Sequence, residues 1–301
     1  MDAETRLSRE EPLAPKTTFR VGGPARFYAE PANVEDLGRL WRTAQESGVD
    51  VFFLGRGSNL IVADTGFPGL VIRLQHPFWR RLEVRDGRIF ARAGVRLKQL
   101  CATAASAGLR GFEFLEGIPG SLGGALRMNA GAMGGWMFDV VESVEWMTPG
   151  GEIRNWSKEQ FHTDYRKCVE LVDAVALGAV LRVPEANSTE TSEAIRAQID
   201  AYATVRKASQ PREPSAGCIF KNPPGNHAGK LIDELGLKGR AQGGAAVSTV
   251  HGNFIINENA ATCAEVIDLI RDLRARVRAE RGVELEPEVF LLGAKWEEVL
   301  A

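Results

Sequence analysis

The sequence predicts an α+β fold in two domains, and three observations carry that expectation. The chain has 301 residues, twice the roughly 150 typical of one domain. Short apolar runs bounded by glycine turns, the pattern of buried strands, alternate with segments whose apolar residues recur at helical spacing. Hydrophobic residues make up 44% and charged residues 25%, a globular balance that excludes a mainly disordered or collagen-like chain.

Taken in order, the first sixteen residues mix charge and proline without periodicity and are expected to be flexible, with order beginning near Thr17. Asn33 and Asp36 resemble a capping box, and Val34, Leu37, Leu40, Trp41 and Ala44 then mark one helical face up to Gly48. Residues 51–54, 60–63 and 70–74 read as strands separated by GRGSN and DTGFPG turns, so the helix before them suggests a βαβ unit. Residues 81–84 and 89–93 read as a hairpin, and 97–107 as a helix closed by Gly108. Residues 141–147 and 152–156 flank a Thr-Pro-Gly-Gly turn and form a second hairpin, and 174–183 reads as a further strand.

The composition turns small and polar over 184–192, which places the main boundary near Pro184. Residues 17–184 are expected to form the first region, in subdomains of about 17–75 and 76–184. Residues 185–301 form the second, with helices at 193–207 and 230–235, a loop over 210–226 and a strand at 254–257. A long helix opens at Thr262-x-x-Glu265 and stops before Gly282. The last strand, near 288–292, is expected to return to the first region.

Charge and cysteine content narrow the function. Lys+Arg 37 against Asp+Glu 39 leaves a formal net charge of −2, too little positive field to hold nucleic acid or an anionic membrane surface. Cys101, Cys168, Cys218 and Cys263 are dispersed without a CxxC pair, so neither a zinc site nor a disulfide framework is indicated and the thiols read as those of a cytoplasmic protein. The N-terminus lacks the apolar core of a signal peptide, and the apolar run at 174–181 is closed by Asp173 and Arg182, so no membrane span is expected.

Glycine is the compositional outlier, at 32 residues, about 11% against a usual ~7%. Two segments concentrate it. GRGSNL (55–60) follows a strand, where glycines leave backbone N–H groups free to converge on a pyrophosphate; a plain tight loop would use the same residues. In GIPGSLGGALRMNAGAMGG (117–135), seven of nineteen residues are glycine and charges are few, poor material for a helix or a solvated loop. A flat dinucleotide would explain both segments, and close packing of two elements would explain the second. Neither is a GxGxxG opening a crossover helix, which disfavours a Rossmann fold.

These segments, with TTFRVGGPA (17–25), TDYR (163–166), PSAGCIFKNP (214–223), AGKLIDELGLKG (228–239) and EPEVFLLG (286–293), occur in an order that resembles the UDP-N-acetylenolpyruvoylglucosamine reductase (MurB) family. The resemblance runs from about Thr17 to Gly293. It implies an FAD-binding region of the vanillyl-alcohol oxidase (PCMH) type followed by a smaller C-terminal α+β substrate domain. It also implies NADPH-dependent, FAD-mediated reduction of UDP-N-acetylglucosamine enolpyruvate to UDP-N-acetylmuramate in peptidoglycan precursor synthesis, by a monomer. The short stretch 131–165 resembles the compact form without the extra lid segment. The alternatives are another flavin oxidoreductase of the same fold and a non-catalytic binder of FAD or a UDP-sugar.

Site residues follow from the same resemblance. FAD would be held, non-covalently since no His or Cys stands in GRGSN or GIPGSLGG, by Gly55, Arg56, Gly57, Ser58 and Asn59. Gly117, Ile118, Pro119, Gly120, Ser121, Gly123, Gly124, Asn129, Ala130 and Gly131 would complete the cradle. Arg166 matches the family's catalytic arginine, and a planar guanidinium suits the carboxylate on which charge develops. Cys218 stands where the family has a serine proton donor; a thiol, with reference pKa ~8.5, is mostly protonated at neutral pH and can still deliver a proton. Ser215 is the fallback donor. Glu288 matches the late catalytic glutamate, with Glu286 its competitor. Arg206, Lys207, Lys221, Asn222 and Lys230 are candidates for the UDP diphosphate, although cations at a helix end also simply complement its dipole. Tyr165 and His251 are expected either to touch substrate or to serve structure. Met133 replaces a tyrosine frequent in the family, so a ring contact there is lost.

Overall fold

The computed structural model describes residues 1–182 and 192–300, so the boundary expected near Pro184 lies outside the described residues. The chain forms two compact units, Met1–Ser8 with Tyr28–Gly55 and Leu70–Arg206, and Arg9–Phe27 with Arg56–Gly69 and Lys207–Ala301. Helices and strands of both hairpin and parallel kinds occur, which makes the fold α+β.

The first unit is built on a five-stranded sheet in the order Ile153–Ser157, Val141–Met147, Val175–Arg182, Arg88–Arg92, Leu82–Arg85. Both predicted hairpins are its edges, with Val144 opposite Trp156 and Val84 opposite Ile89. The central strand Val175–Arg182 is buried along most of its length, as its unbroken apolar run requires. Leu97, Leu100, Leu122 and Leu126, from the helices Leu97–Ser106 and Leu122–Arg127, join Val144 and Leu181 in the core. The latter helix falls inside the glycine segment that reads as poor helix material. It is only six residues long, and its backbone is held from outside, with Leu122 and Gly123 N–H donating to Val95 and Ala93 carbonyls.

The helix Val34–Glu46 begins where the sequence places it, with Asn33 Oδ1 accepting from Asp36 N–H at 2.8 Å. Val51–Leu54 follows and runs parallel to Phe67–Arg73, with Val51 opposite Leu70. These strands belong to a four-stranded sheet in the order Arg6–Pro12, Pro24–Glu30, Phe67–Arg73, Val51–Leu54. Order therefore begins before Thr17. Arg6–Pro12 is an edge strand exposed along most of its length, and charged side chains on such a strand erase the apolar alternation that would betray it.

The second unit carries a sheet in the order Ser215–Cys218, Phe254–Asn257, Ala245–Val247, Ala241–Gln242. Ser215–Cys218 lies within the stretch expected to be loop; Ser-Ala-Gly-Cys has no β-branched or aromatic residue to announce a strand. The helix Cys263–Arg281 has both halves of its capping box and ends at Gly282 with φ +67°. Its Val266, Ile270, Leu273 and Val277 pack with Ile219, Phe220, Leu231 and Ile232. Phe290–Leu292 pairs in parallel with Leu60–Val62, across most of the sequence. Among the described residues no helix is long and apolar enough to cross a membrane.

Candidate active site

In the second unit the strand ending at Cys218 is irregular: Ser215 faces Ile256 and Cys218 faces Phe254, with a register shift between. Gly217 sits in that shift at φ +80°, a conformation that favours glycine. Beyond Cys218 the chain is pinned on two sides. Ile219 N–H donates to Asn253 O at 2.9 Å, and Ile219 O accepts Glu288 N–H at 2.7 Å. Phe220 faces Pro287 across an isolated bridge, and Lys221 N–H donates to Glu286 O at 2.9 Å. The late glutamate segment thus runs beside the Cys218 motif.

The GRGSN turn joins the same assembly. Asn59 Nδ2 donates to Glu288 O at 3.4 Å, and Phe290 N–H donates to Asn59 O at 3.1 Å. Thr18 Oγ1 lies 2.7 Å from Ser215 O and 3.2 Å from Gly57 O, so the TTFRVGG segment staples the turn to the Cys218 strand. Gly57, at φ +60°, leaves no room for a side chain against Thr17. Three motifs far apart in sequence, Gly57–Asn59, Cys218 and Glu288, therefore meet in one unit.

The remaining candidates of that unit have local partners. Lys221 Nζ pairs with Glu286 Oε2 at 3.0 Å and Lys230 Nζ with Glu234 Oε1 at 3.7 Å, both exposed pairs of small energetic weight. Asn222 Oδ1 accepts from Ala228 N–H at 3.1 Å and so caps the helix Ala228–Glu234. His251 Nδ1 accepts from Asn253 N–H at 3.1 Å, and its ring lies 4.9 Å from that of Phe254. Burial, and then the nearby Lys238 ammonium, lowers the His251 pKa, so the neutral ring keeps this acceptor. Lys207 is exposed.

In the first unit the two glycine segments approach each other at Gly55 and Ser121. A Cβ on Gly55 would stand 2.9 Å from Ser121 Oγ, and one on Gly124 3.9 Å from it, with no other atom within 4 Å in either case. Ser121 is 4% exposed, and Arg73 Nε donates to Gly55 O at 3.3 Å. Other glycines of the segment answer to packing: a Cβ on Gly123 would press Ala93 at 3.1 Å, and one on Gly131 would overlap the Trp136 ring. Gly117, at φ +73°, lies under Arg206, whose Nε would be 2.6 Å from a Cβ there. Ile118 N–H and Gly120 N–H are used within the turn, Pro119 is exposed, and Ala130 N–H donates to Ala125 O.

Arg166 occupies the tight turn of the small hairpin Thr163–Asp164 and Lys167–Cys168, at φ +57°. Its Nη1 donates to Gly131 O at 3.2 Å and its guanidinium lies 5.3 Å from the centre of the Tyr165 ring. Buried Asn129 links the same parts, donating to Asp164 O at 3.4 Å and accepting from Phe138 N–H at 3.2 Å. Tyr165, 47% exposed, also meets Trp136 with ring centres 5.9 Å apart. Arg166 and Tyr165 are thus gathered onto the Asn129–Gly131 end of the glycine segment.

Backbone donors in both glycine segments suit a dinucleotide. Backbone N–H groups of Gly57, Ser58 and Asn59 in the second unit, and of Ser121 and Gly124 in the first, meet no acceptor among the described residues. Backbone donors of this kind suit a pyrophosphate, and within the first unit the exposed Gly124 leaves room for close approach. FAD fits this donor set. Thr18, Arg73 and Asn253 carry geometry that the sequence reading does not single out; Thr18 stands inside a quoted motif, and Asn253 is a polar residue directly before an apolar strand.

The fold and these donors define an FAD-binding oxidoreductase: residues 25–157 match the FAD binding domain. Residues 210–292 match the C-terminal domain of UDP-N-acetylenolpyruvoylglucosamine reductase. The reductase of Heliobacterium modesticaldum is 44% identical, covering 95% of this chain and 90% of the relative. That of Syntrophomonas wolfei is 38% identical over 96% and 95%. The crystal structure of the enzyme from Thermus caldophilus superimposes with a TM-score of 0.82 at 38% identity, covering 96% of this chain and 99% of that one. The chain belongs to the UDP-N-acetylenolpyruvoylglucosamine reductase family.

Proposed function

We propose that this chain reduces UDP-N-acetylglucosamine enolpyruvate to UDP-N-acetylmuramate with NADPH as hydride donor, as a cytoplasmic monomer in peptidoglycan precursor synthesis. FAD, when bound, would supply the hydride-transfer chemistry between NADPH and the enolpyruvyl methylene carbon. Gly55–Asn59, the 117–124 turn and the 129–131 end of the glycine segment hold FAD without a covalent link. Residues 17–184 supply most of that cradle, and residues 185–301 supply most of the substrate contacts.

Hydride arrival makes a methyl group and leaves negative charge spread over the adjacent carbon and its carboxylate. Arg166 grips that carboxylate, which stabilises the charge as it grows. Cys218 Sγ–H gives its proton to the carbon beside the carboxylate, completing the lactyl ether, and the thiolate is reprotonated from water. Glu288 orients the thiol or a water beside it. Tyr165 and the cations Arg206, Lys207, Lys221 and Lys230 bind the nucleotide sugar, with Asn222 and His251 shaping the loops that present it.

The observation that carries this reading is the convergence of Gly57–Asn59, Cys218 and Glu288 in one unit, tied by the Ile219, Asn59 and Thr18 hydrogen bonds. Stopped-flow reoxidation of the reduced flavin by substrate tests it. Cys218→Ser should stay within about tenfold of wild type, and Cys218→Ala should lose about 10²- to 10⁴-fold, the usual contribution of a general acid. Equal rates in all three would remove Cys218 from the chemistry.

A further inference from the structure

Buried polar side chains outside the predicted site are few, and one of them is wired to it. Asn253 is 3% exposed, and its amide makes a paired contact with a single residue: Oδ1 accepts from Phe220 N–H at 2.9 Å and Nδ2 donates to Phe220 O at 2.8 Å. Its own carbonyl accepts Ile219 N–H at 2.9 Å. One asparagine thus does for residues 219–220 what a neighbouring strand would do, at the point where the sheet has slipped register beside Gly217. The opposite edge of the same two residues meets the glutamate segment through the 2.7 Å bond from Glu288 N–H to Ile219 O. Asn253 is held in turn by its N–H on His251 Nδ1 at 3.1 Å, and Gly229 is small enough to let that ring in, since a Cβ there would stand 3.0 Å from His251 Cε1.

We propose that Asn253 is a positioning residue for the protonation step, fixing the backbone after Cys218 so that the thiol and Glu288 keep one mutual placement. This rests on Cys218 as proton donor. The chemistry is unaltered by Asn253; it sets where the donor stands, and misplacement of a reacting group by about 1 Å costs on the order of 10²-fold. An aspartate at 253 keeps the shape and the acceptor but cannot donate to Phe220 O when ionised. A serine keeps a single short polar group and serves as the second variant if the aspartate fails to fold.

The test compares Asn253→Asp and Asn253→Ser, reconstituted with FAD and checked by thermal melting, in the two half-reactions separately. Flavin reduction by NADPH should stay within about twofold of wild type, while reoxidation by UDP-N-acetylglucosamine enolpyruvate should fall at least about tenfold with substrate affinity unchanged. Introduced into Cys218→Ala, the same substitutions should cost nothing further, because the group they position is gone. Equal losses in both half-reactions, no loss, or an undiminished loss in the Cys218→Ala background would overturn the proposal. Cys218→Ala reoxidising at the wild-type rate would instead sink the donor assignment, and the positioning role with it.

Discussion

Burial separates one thiol from the other three. Cys101, Cys168 and Cys263 are at most 2% exposed, and burial, reinforced by nearby carboxylates, pushes each up to about 12. Cys218 alone is half-buried. A disulfide reagent at pH 8 should therefore label one thiol per native chain, lost in Cys218→Ser, and all four only after denaturation; rapid labelling of two or more would contradict the packing. Two other groups link single residues to pH. Burial works to raise the Asp36 carboxyl, but the Thr5 hydroxyl and Asp2 N–H that it accepts hold it below the usual carboxylate range. Its stabilisation is present above about pH 4 and lost as pH falls through the folded value. His251 also has a lowered pKa, so its stabilisation is complete above about pH 6.5 and is lost as pH falls, because the unfolded chain takes the proton first. Melting temperature from pH 8 to 5 should drop more steeply in wild type than in His251→Gln; parallel curves would refute the assignment. At this scale the sequence could name Cys218, Arg166 and Glu288 because they stand in motifs. Asn253 is silent in sequence because its role lies in two bonds to a residue thirty-three positions away.

At the scale of elements, the helices were legible because their ends are chemically marked. Asn33 and the Thr262–Glu265 pair cap where they were expected to, and Gly282 closes the long helix. Asn33→Ala should cost about 1 kcal/mol in urea unfolding, and no change would show that the cap is redundant. Strands without β-branched residues were not legible: Ser215–Cys218 hides in small residues, and Arg6–Pro12 hides behind charge. The first of these carries a register slip in which Gly217, directly before Cys218, has a positive φ. Gly217→Ala forces a side chain to φ +80°, which should destabilise by about 1–2 kcal/mol and slow flavin reoxidation more than flavin reduction. A variant with wild-type stability and both half-reactions intact would show that the bulge does not place Cys218.

Across the whole molecule, periodicity carries local information only. It marks Leu60–Val62 and Phe290–Leu292 as strands but cannot reveal that they pair. Nor can it show that Arg9–Phe27 and Arg56–Gly69 fold into the same compact unit as Lys207–Ala301, a grouping that puts most of GRGSN beside Cys218. The glycine belt admits two readings in sequence, a surface pressed on a ligand and a close packing of two elements. In the structure it divides: a Cβ on Gly123 or Gly131 would press a packed neighbour and one on Gly55 would meet Ser121 Oγ at 2.9 Å, whereas one on Gly124 would find only Ser121 Oγ, at 3.9 Å. That division suits a chain that both grips and packs around a large cofactor. The most direct measurement is an anaerobic single turnover: protein with FAD bound is reduced by one equivalent of NADPH, then mixed with UDP-N-acetylglucosamine enolpyruvate. Full return of the oxidised flavin spectrum with one UDP-N-acetylmuramate formed per flavin is the predicted result. A flavin that stays reduced in the presence of that substrate would contradict the account.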